Sequence, residues 1–286
     1  MRFSIIVVCL NPGEKLKRTM DSILGQTCRD FEVIIKDGGS TDGSVEPWKQ
    51  GAETADSMEP GDRGPELNDA KVRFFQEKDK GIYDAMNRAV SYATGDFVLF
   101  MNCGDVFADE KVLEKTLLFI QEQEAAGADR NKLVVYGDTC SEKNHTTIAS
   151  APVITGFTCY RNIPCHQSCF YSTALCREKP YDLQYRIRAD YEHFLWCFYR
   201  AGARFAHMGF PVASYEGGGY SESKTNRRRD KQEHRQITGM YMGKGELLRY
   251  RVVMACTLAP LRRAMAESRS FSGIYHWVKE KVYKRK

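Results

Sequence analysis

The chain opens on a nearly continuous apolar run, FSIIVV at 3–8, whose β-branched residues fit a strand buried on both faces. After CLNPG, Leu16, Met20, Ile23 and Leu24 recur at helical spacing, and Gly25 is placed to end that helix. FEVIIK at 31–36 predicts a second buried strand that runs out into DGGSTDGS. Residues 50–70 are rich in Gly, Pro, Asp and Glu and read as an exposed loop, followed by a third strand, VRFF at 72–75. The clearest helical stripe is Ile82, Ala85, Met86, Ala89, Val90 and Ala93, with Asp84, Asn87, Arg88 and Ser91 on the other side. Gly95 closes that helix and FVLFM at 97–101 predicts the next strand. A helix at about 110–123 and a strand, KLVVYG at 132–137, continue the pattern. In YRIRADYEHFLWCFYR, Ile187, Tyr191, Phe194, Leu195 and Phe198 form the stripe of a later helix. Such alternation predicts an α/β fold with a mainly parallel sheet covered by helices.

That architecture predicts where chemistry sits, because ligands of open parallel sheets bind beyond the carboxyl ends of the strands. Three such ends, Cys9–Asn11, Asp37–Ser44 and Asn102–Asp105, are polar or glycine-bearing, and two carry Asp. For Asp37 the residues leave two readings: a turn former, or an acceptor for a base or ribose, since an ionised carboxylate only accepts. Asp105, behind Gly104, suits a hard divalent cation bridged to phosphates, or equally the start of the helix near Asp109. In the later helix, Asp190 and Glu192 lie about 200° apart around the axis, so only one faces a given cleft.

Composition narrows the classes. With 286 residues, 42% hydrophobic and 28% charged, the chain has ordinary globular composition and room for one large domain. No apolar window reaches the length of a membrane span, and the N-terminus shows no signal-peptide pattern, which predicts a cytoplasmic protein. The ten cysteines are scattered and read as reduced core thiols. Cys159, Cys165, Cys169 and Cys176 with His166 lack the paired knuckles of structural zinc sites. No G-x-G-x-x-G follows the first strand, which disfavours a dinucleotide-dependent oxidoreductase.

Read together, FSIIVVCLN, FEVIIKDGGSTDGS, EKDKGIYDAMNRAVSYATGDFVLFMNCGD and CHQSCFY resemble family 2 glycosyltransferases. The resemblance is closest to the bacterial polysaccharide type related to colanic acid synthesis and covers about residues 3–222. It implies a GT-A fold over residues 1–222, with a nucleotide-sugar-binding half at 1–105 and an acceptor-binding half at 106–222. It also implies inverting transfer from a nucleotide-sugar, a UDP-sugar by preference, to a growing and lipid-linked glycan. Matched position by position, Asn11 falls beside the base pocket and Asp37 at the nucleobase contact, while Lys80 and Gly81 fall on the loop near the nucleotide. Asp84, Asn87 and Arg88 fall on the helix face towards the donor, and His166 and Gln167 at donor or acceptor contacts. Asp190 matches the general base, with Glu192 as the fallback. Asp105 matches the last carboxylate of the metal-binding Asp-x-Asp signature, implying Mn²⁺ or Mg²⁺. Cys103 stands where the first Asp of that signature belongs, and a thiol is a poor ligand for Mg²⁺. That departure supports an alternative, a nucleotide-sugar-binding protein without transferase activity.

Charge is distributed unevenly. From Lys224 onward the chain carries 17 Lys and Arg against 5 Asp and Glu, a net +12, while the first 223 residues carry −7. Residues 223–286 read as a basic helical appendage, with Phe271, Ile274, Tyr275, Val278 and Val282 on one face. Such a segment suits an anionic membrane at the inner face of the cell membrane, or a helix packed on the domain with a solvated face. No nucleic-acid module accompanies the charge, so no nucleic-acid partner is expected. Gly217, Gly218 and Gly219 read as a loop able to order over bound donor.

Overall fold

The computed structural model describes residues 2–49, 66–67, 70–143, 145–215 and 226–256. The glycine loop at 217–219, the helix expected around Phe271 and most of the 50–70 loop lie outside the described residues. Contacts group the chain into two units, Met1–His234 and Arg235–Lys286.

The first unit is built on one sheet. Its strands are β1 (Phe3–Cys9), β2 (Phe31–Asp37), β3 (Glu66–Leu67), β4 (Ala70–Gln76) and β5 (Phe97–Asn102). They continue as β6 (Val106–Phe107), β7 (Leu133–Ser141), β8 (Thr146–Ile148), β9 (Cys169–Ser172) and β10 (Arg204–Tyr215). The helices are α1 (Glu14–Leu24), α2 (Glu46–Lys49), α3 (Ile82–Tyr92), α4 (Val112–Ala125), α5 (Gly156–Arg161) and α6 (Thr173–Glu178). α7 (Ala189–Tyr199), α8 (Asn226–Tyr241) and α9 (Lys244–Cys256) complete the described helices. The strand order is β3-β4-β2-β1-β5-β9-β7-β10-β6, with β8 paired to β7. β4, β2, β1 and β5 are mutually parallel, and β7 and β10 share their direction. β9 lies antiparallel between β5 and β7, so the sheet is mostly parallel.

The two faces of the sheet follow the period of two along each strand. Phe3, Ile5 and Val7 of β1 join Val33, Ile35, Leu99 and Met101 in a cluster with Leu16, Met20 and Ile23 of α1 and Leu113 and Ile120 of α4. The opposite face carries α3, which packs on β1 and β2 through buried Ala85, Met86, Ala89 and Val90. Gly25 does end α1, but at φ −79° it keeps right-handed backbone. A Cβ there would lie 3.1 Å from the Asp21 carbonyl, so the requirement is close approach rather than a left-handed cap.

Charge enters this core where apolar patterning gives no warning. Glu32 of β2 is fully buried and accepts from the Ser4 hydroxyl at 2.7 Å, the Thr94 amide at 2.6 Å and Arg73 Nη1 at 3.3 Å. Lys36, also fully buried, donates to the carbonyls of Glu77 at 2.6 Å and Asp37 at 3.1 Å. Within the second unit, α9 buries Tyr250, which donates to Glu246 Oε1 at 2.7 Å, and exposes Leu248 and Val252.

Candidate functional site

The parallel register brings Cys9 opposite Asp37 and Val8 opposite Asn102, so the ends of β2, β1 and β5 lie side by side. At the first of these ends Asp37 is fully buried. Its carboxylate accepts from the amides of Gly39 at 3.2 Å and Ser40 at 2.9 Å, the Ser40 hydroxyl at 2.5 Å and Gln76 Nε2 at 2.7 Å. Burial pushes the Asp37 carboxyl up, but these bonds outweigh it and hold the group below its ordinary value. Asp37 therefore organises the turn beyond β2. Asn11, held at φ 48°, serves the same turn: its Oδ1 accepts from the Thr41 amide at 2.8 Å. Across the turn the Gly13 amide donates to Asp42 Oδ2 at 2.9 Å.

The loop before α3 is braced in a similar way. Asp84 Oδ2 accepts from the Lys80 amide at 2.9 Å and from Arg88 Nε at 3.2 Å, while Arg88 Nη1 reaches Glu77 at 2.7 Å. Asn87 is turned to the backbone of Tyr181, with amide and carbonyl contacts of 2.8 Å each. Lys80 and Gly81 are exposed on the loop. Asp79, which sequence reasoning passed over, accepts from the Gly81 amide at 3.0 Å and sits 3.5 Å from Lys36 Nζ. A Cβ on Gly38 would lie 2.9 Å from Asp79 Oδ2, so only glycine leaves that carboxylate its place over the end of β2.

The second corner gathers residues from four separate segments. Asp105, on the turn after β5, is 7% exposed, and its Oδ2 lies 3.4 Å from Gln167 Nε2. Beside Gln167, His166 places Nε2 at 3.0 Å from Asn102 Nδ2 and Nδ1 at 3.5 Å from Asp190 Oδ2. Asp190 Oδ1 lies 2.9 Å from the Tyr83 hydroxyl. Burial pushes the Asp190 carboxyl up, yet the hydrogen bond and charge of His166, together with Tyr83, leave it below its ordinary value. Asp190 is thus ionised at neutral pH and able to take a proton. Glu192 goes elsewhere: it is 2% exposed and paired with Lys179 at 2.8 Å, outside the Asp190 cluster.

Two thiols join the corners. Cys9 approaches Asp37 Oδ1 at 3.6 Å, and its hydrogen bond to the Cys103 thiol, then burial, push the Cys9 thiol well above its ordinary value. Asp105 and Asn102 supply oxygen donors of the kind a hard cation prefers, and Asn102 Oδ1 is buried without a partner among the described residues. No cluster of three His, Cys, Asp or Glu among the described residues would hold an ion unaided. These oxygens fit a hard cation that takes its remaining ligands from elsewhere, and Asp105 is the carboxylate that would hold it.

Glu233 was also invisible in the sequence. This buried carboxylate accepts the amides of Arg186, Ile187 and Arg188 at 3.0 Å each, fixing the entry to α7 and hence Asp190. Arg188 adds paired bonds to Asp230 at 2.7 and 3.1 Å. Within the polar run NRRRDKQEHRQ nothing distinguishes Glu233 from its solvated neighbours.

Comparison with known proteins gives the family and the fold. A family model described as glycosyl transferase family 2 matches residues 4–208. A PGL/p-HBAD biosynthesis glycosyltransferase of Mycobacterium bovis is 35% identical over 223 residues, covering 77% of this chain and 79% of the relative. Among solved structures, S. aureus TarS in complex with UDP superposes with a TM-score of 0.59 at 20% identity, covering 76% of this chain and 61% of that one. This chain thus spans about three-fifths of that TarS structure. A mannosyltransferase from Pyrobaculum calidifontis in complex with GDP-Man and Mn²⁺ gives 0.61 at 15% identity, covering 100% of this chain and 88% of that one. These two likenesses establish the fold.

Proposed function

This chain belongs to glycosyl transferase family 2 and is a glycosyltransferase, and we propose that it inverts the anomeric centre of a UDP-sugar during transfer to a growing, lipid-linked glycan. The observation that carries the reading is Asp190, bracketed by Tyr83 and His166 within the same cluster as Asn102, Asp105 and Gln167. An inverting transferase needs one carboxylate to take the acceptor's proton on the side opposite the leaving diphosphate. In the proposed step the acceptor hydroxyl gives its proton to Asp190, and its oxygen bonds to the anomeric carbon. The bond from that carbon to the diphosphate breaks, and its electron pair leaves with the diphosphate. Residues 1–105 would bind the nucleotide-sugar and residues 106–222 the acceptor.

The donor side rests on preformed loops. The turn tied by Asp37 and Asn11, and the Lys80–Gly81 loop braced by Asp84, present backbone and the exposed Lys80 to a nucleotide without prior rearrangement. A divalent cation, when bound, neutralises charge developing on the leaving diphosphate. Asp105 would hold it, with Asn102 Oδ1 as a second oxygen. UDP in the TarS complex supports the preference for a uridine donor, and Mn²⁺ in the mannosyltransferase complex supports the choice of cation.

A thermal-shift screen of nucleoside diphosphates and their sugars, with and without Mn²⁺, tests the donor assignment. UDP or a UDP-sugar is expected to raise Tm, and Mn²⁺ to enlarge the rise in wild type but not in Asp105→Asn. A rise with NAD alone, or with no nucleotide at all, would remove the reading. A Mn²⁺ effect that survives Asp105→Asn would move the cation to other ligands.

The acceptor argument draws on the tail. Residues 223–286 are placed by this reading against the anionic inner face of the cell membrane, where a lipid-linked glycan would be met. Support comes from the net +12 beyond Lys224 and from exposed Leu248 and Val252 beside Arg249 and Arg251 on α9. No helix among the described residues is long and apolar enough to cross a membrane. The protein is expected to sediment with anionic vesicles at low salt and to release as salt rises. Equal recovery with neutral vesicles would end the electrostatic argument.

A further inference from the structure

We propose that Tyr83 is a positioning residue for the base, its single hydroxyl hydrogen moving between Asp190 and the Ile187 carbonyl as Asp190 gains and loses a proton. The proposal rests on Asp190 being the base. Tyr83 Oη lies 2.9 Å from Asp190 Oδ1 and 2.8 Å from the Ile187 carbonyl oxygen. A phenol has one hydrogen to donate, so two acceptors at bonding distance compete for it.

The competition resolves differently in the two states of Asp190. While Asp190 is ionised, the charged acceptor wins and Tyr83 donates to the carboxylate, because hydrogen bonds to ions are the stronger kind. Once Asp190 carries the acceptor's proton, its own O–H can donate to Tyr83 Oη. Tyr83 then turns its hydrogen to Ile187, and both short contacts become hydrogen bonds. Proton capture therefore leaves no group of this trio without a partner, so the carboxyl keeps its orientation through the step. Every proton is accounted for: one moves from acceptor to Asp190, and the phenol keeps its own.

The surroundings hold the trio in place. Glu233 grips the Arg188 amide at 3.0 Å, and because that N–H shares a peptide plane with the Ile187 carbonyl, the bond sets the direction of the carbonyl. The Tyr83 ring meets Tyr181 edge-on with centroids 5.3 Å apart, and Asn87, one turn along α3, holds the Tyr181 backbone. From the other side His166 Nδ1 approaches Asp190 Oδ2 at 3.5 Å. The remaining ionisable groups whose charges couple to Asp190 are Cys165, Cys169, Tyr171, Tyr181 and His193, with Glu233 beyond Tyr83. Removing only the phenol oxygen keeps the ring contact with Tyr181 and takes none of these groups away.

Tyr83→Phe isolates that oxygen while keeping the ring. Two readouts are needed, one of them independent of catalysis. In protein carrying ¹³C-labelled aspartate carboxyls, with the Asp190 signal identified by its absence in Asp190→Asn, the titration midpoint of Asp190 is expected to rise by about one pH unit. The turnover of the nucleotide-sugar selected by the thermal-shift screen is expected to fall about tenfold or more in kcat with KM for the donor unchanged. The acidic limb of its pH profile is expected to move up with the titration. An unmoved Asp190 midpoint in folded Tyr83→Phe would overturn the proposal whatever the activity. A midpoint that moves while the pH profile does not would instead remove Asp190 as the base, and Tyr83's role with it.

Discussion

The Asp190→Asn variant is expected to transfer sugar about 10²- to 10⁴-fold more slowly than wild type, the range by which a positioned general base accelerates a reaction. Its affinity for the nucleoside diphosphate is expected to stay near that of wild type. Asn is nearly isosteric with Asp and keeps an oxygen for Tyr83, so the cluster retains its shape while losing the site that takes the proton. The choice of Asp190 over Glu192 follows from their partners: Glu192 is buried against Lys179 at 2.8 Å, whereas Asp190 sits with His166 and Tyr83. In wild type the rate should hold from neutral pH downward and fall only as pH drops through the lowered pKa of Asp190. The sign follows because the base works as carboxylate and is lost on protonation. Linkage runs the same way for stability. Asp37 and Asp190 both have folded values below the ordinary carboxylate value, so their stabilisation is complete above about pH 4 and disappears as pH falls through the folded values. Wild-type rates in Asp190→Asn, measured as donor turnover with acceptor present, would eliminate this carboxylate from the mechanism.

Glu233→Ala is expected to cost about 3 kcal/mol, from the loss of one carboxylate that satisfies three amides at a helix entry. For a chain of this size that is a fall in Tm of about 6–12 °C. Three consecutive amides, those of Arg186, Ile187 and Arg188, lose a buried anionic partner at once. Water can replace only part of it, because the site is 6% exposed. The rate should fall as well, since α7 begins at Ala189 and carries Asp190 in its first turn. Glu233→Gln keeps one acceptor oxygen and is expected to fall between wild type and Ala on both measures. A Tm within about 2 °C of wild type for Glu233→Ala would show that the helix entry is held by other contacts.

How far these residues could be read beforehand depends on the range of the forces that place them. The strands at 3–8, 31–36, 72–75 and 97–101 and the helices built on Leu16 and Met86 were legible because burial repeats with local periods of two or 3.6 residues. The convergence of polar strand ends followed from parallel connectivity alone, and it put Asp37 and Asp105 at strand ends on either side of β1. What stayed hidden was pairing. β9 is four residues long, and its antiparallel place between β5 and β7 has no periodic signature. β10 is interrupted by Gly209 at φ 76° and by a register shift near Pro211, which breaks the alternation that would have announced it.

By itself, then, the order of amino acids determined the α/β layering, the shared end of the sheet to which the polar strand ends run and the family to which the chain belongs, because local patterning and short motifs survive without coordinates. Only the folded chain decided which partners each carboxylate meets. Asp37 turned inward to its own turn, Glu192 went to Lys179, and Asp190 met Tyr83 from 107 positions away. The physical reason is that a hydrogen bond acts over about 3 Å in space and carries no trace along the sequence. Spacing can nominate an acid, but only the fold supplies the donors packed against it.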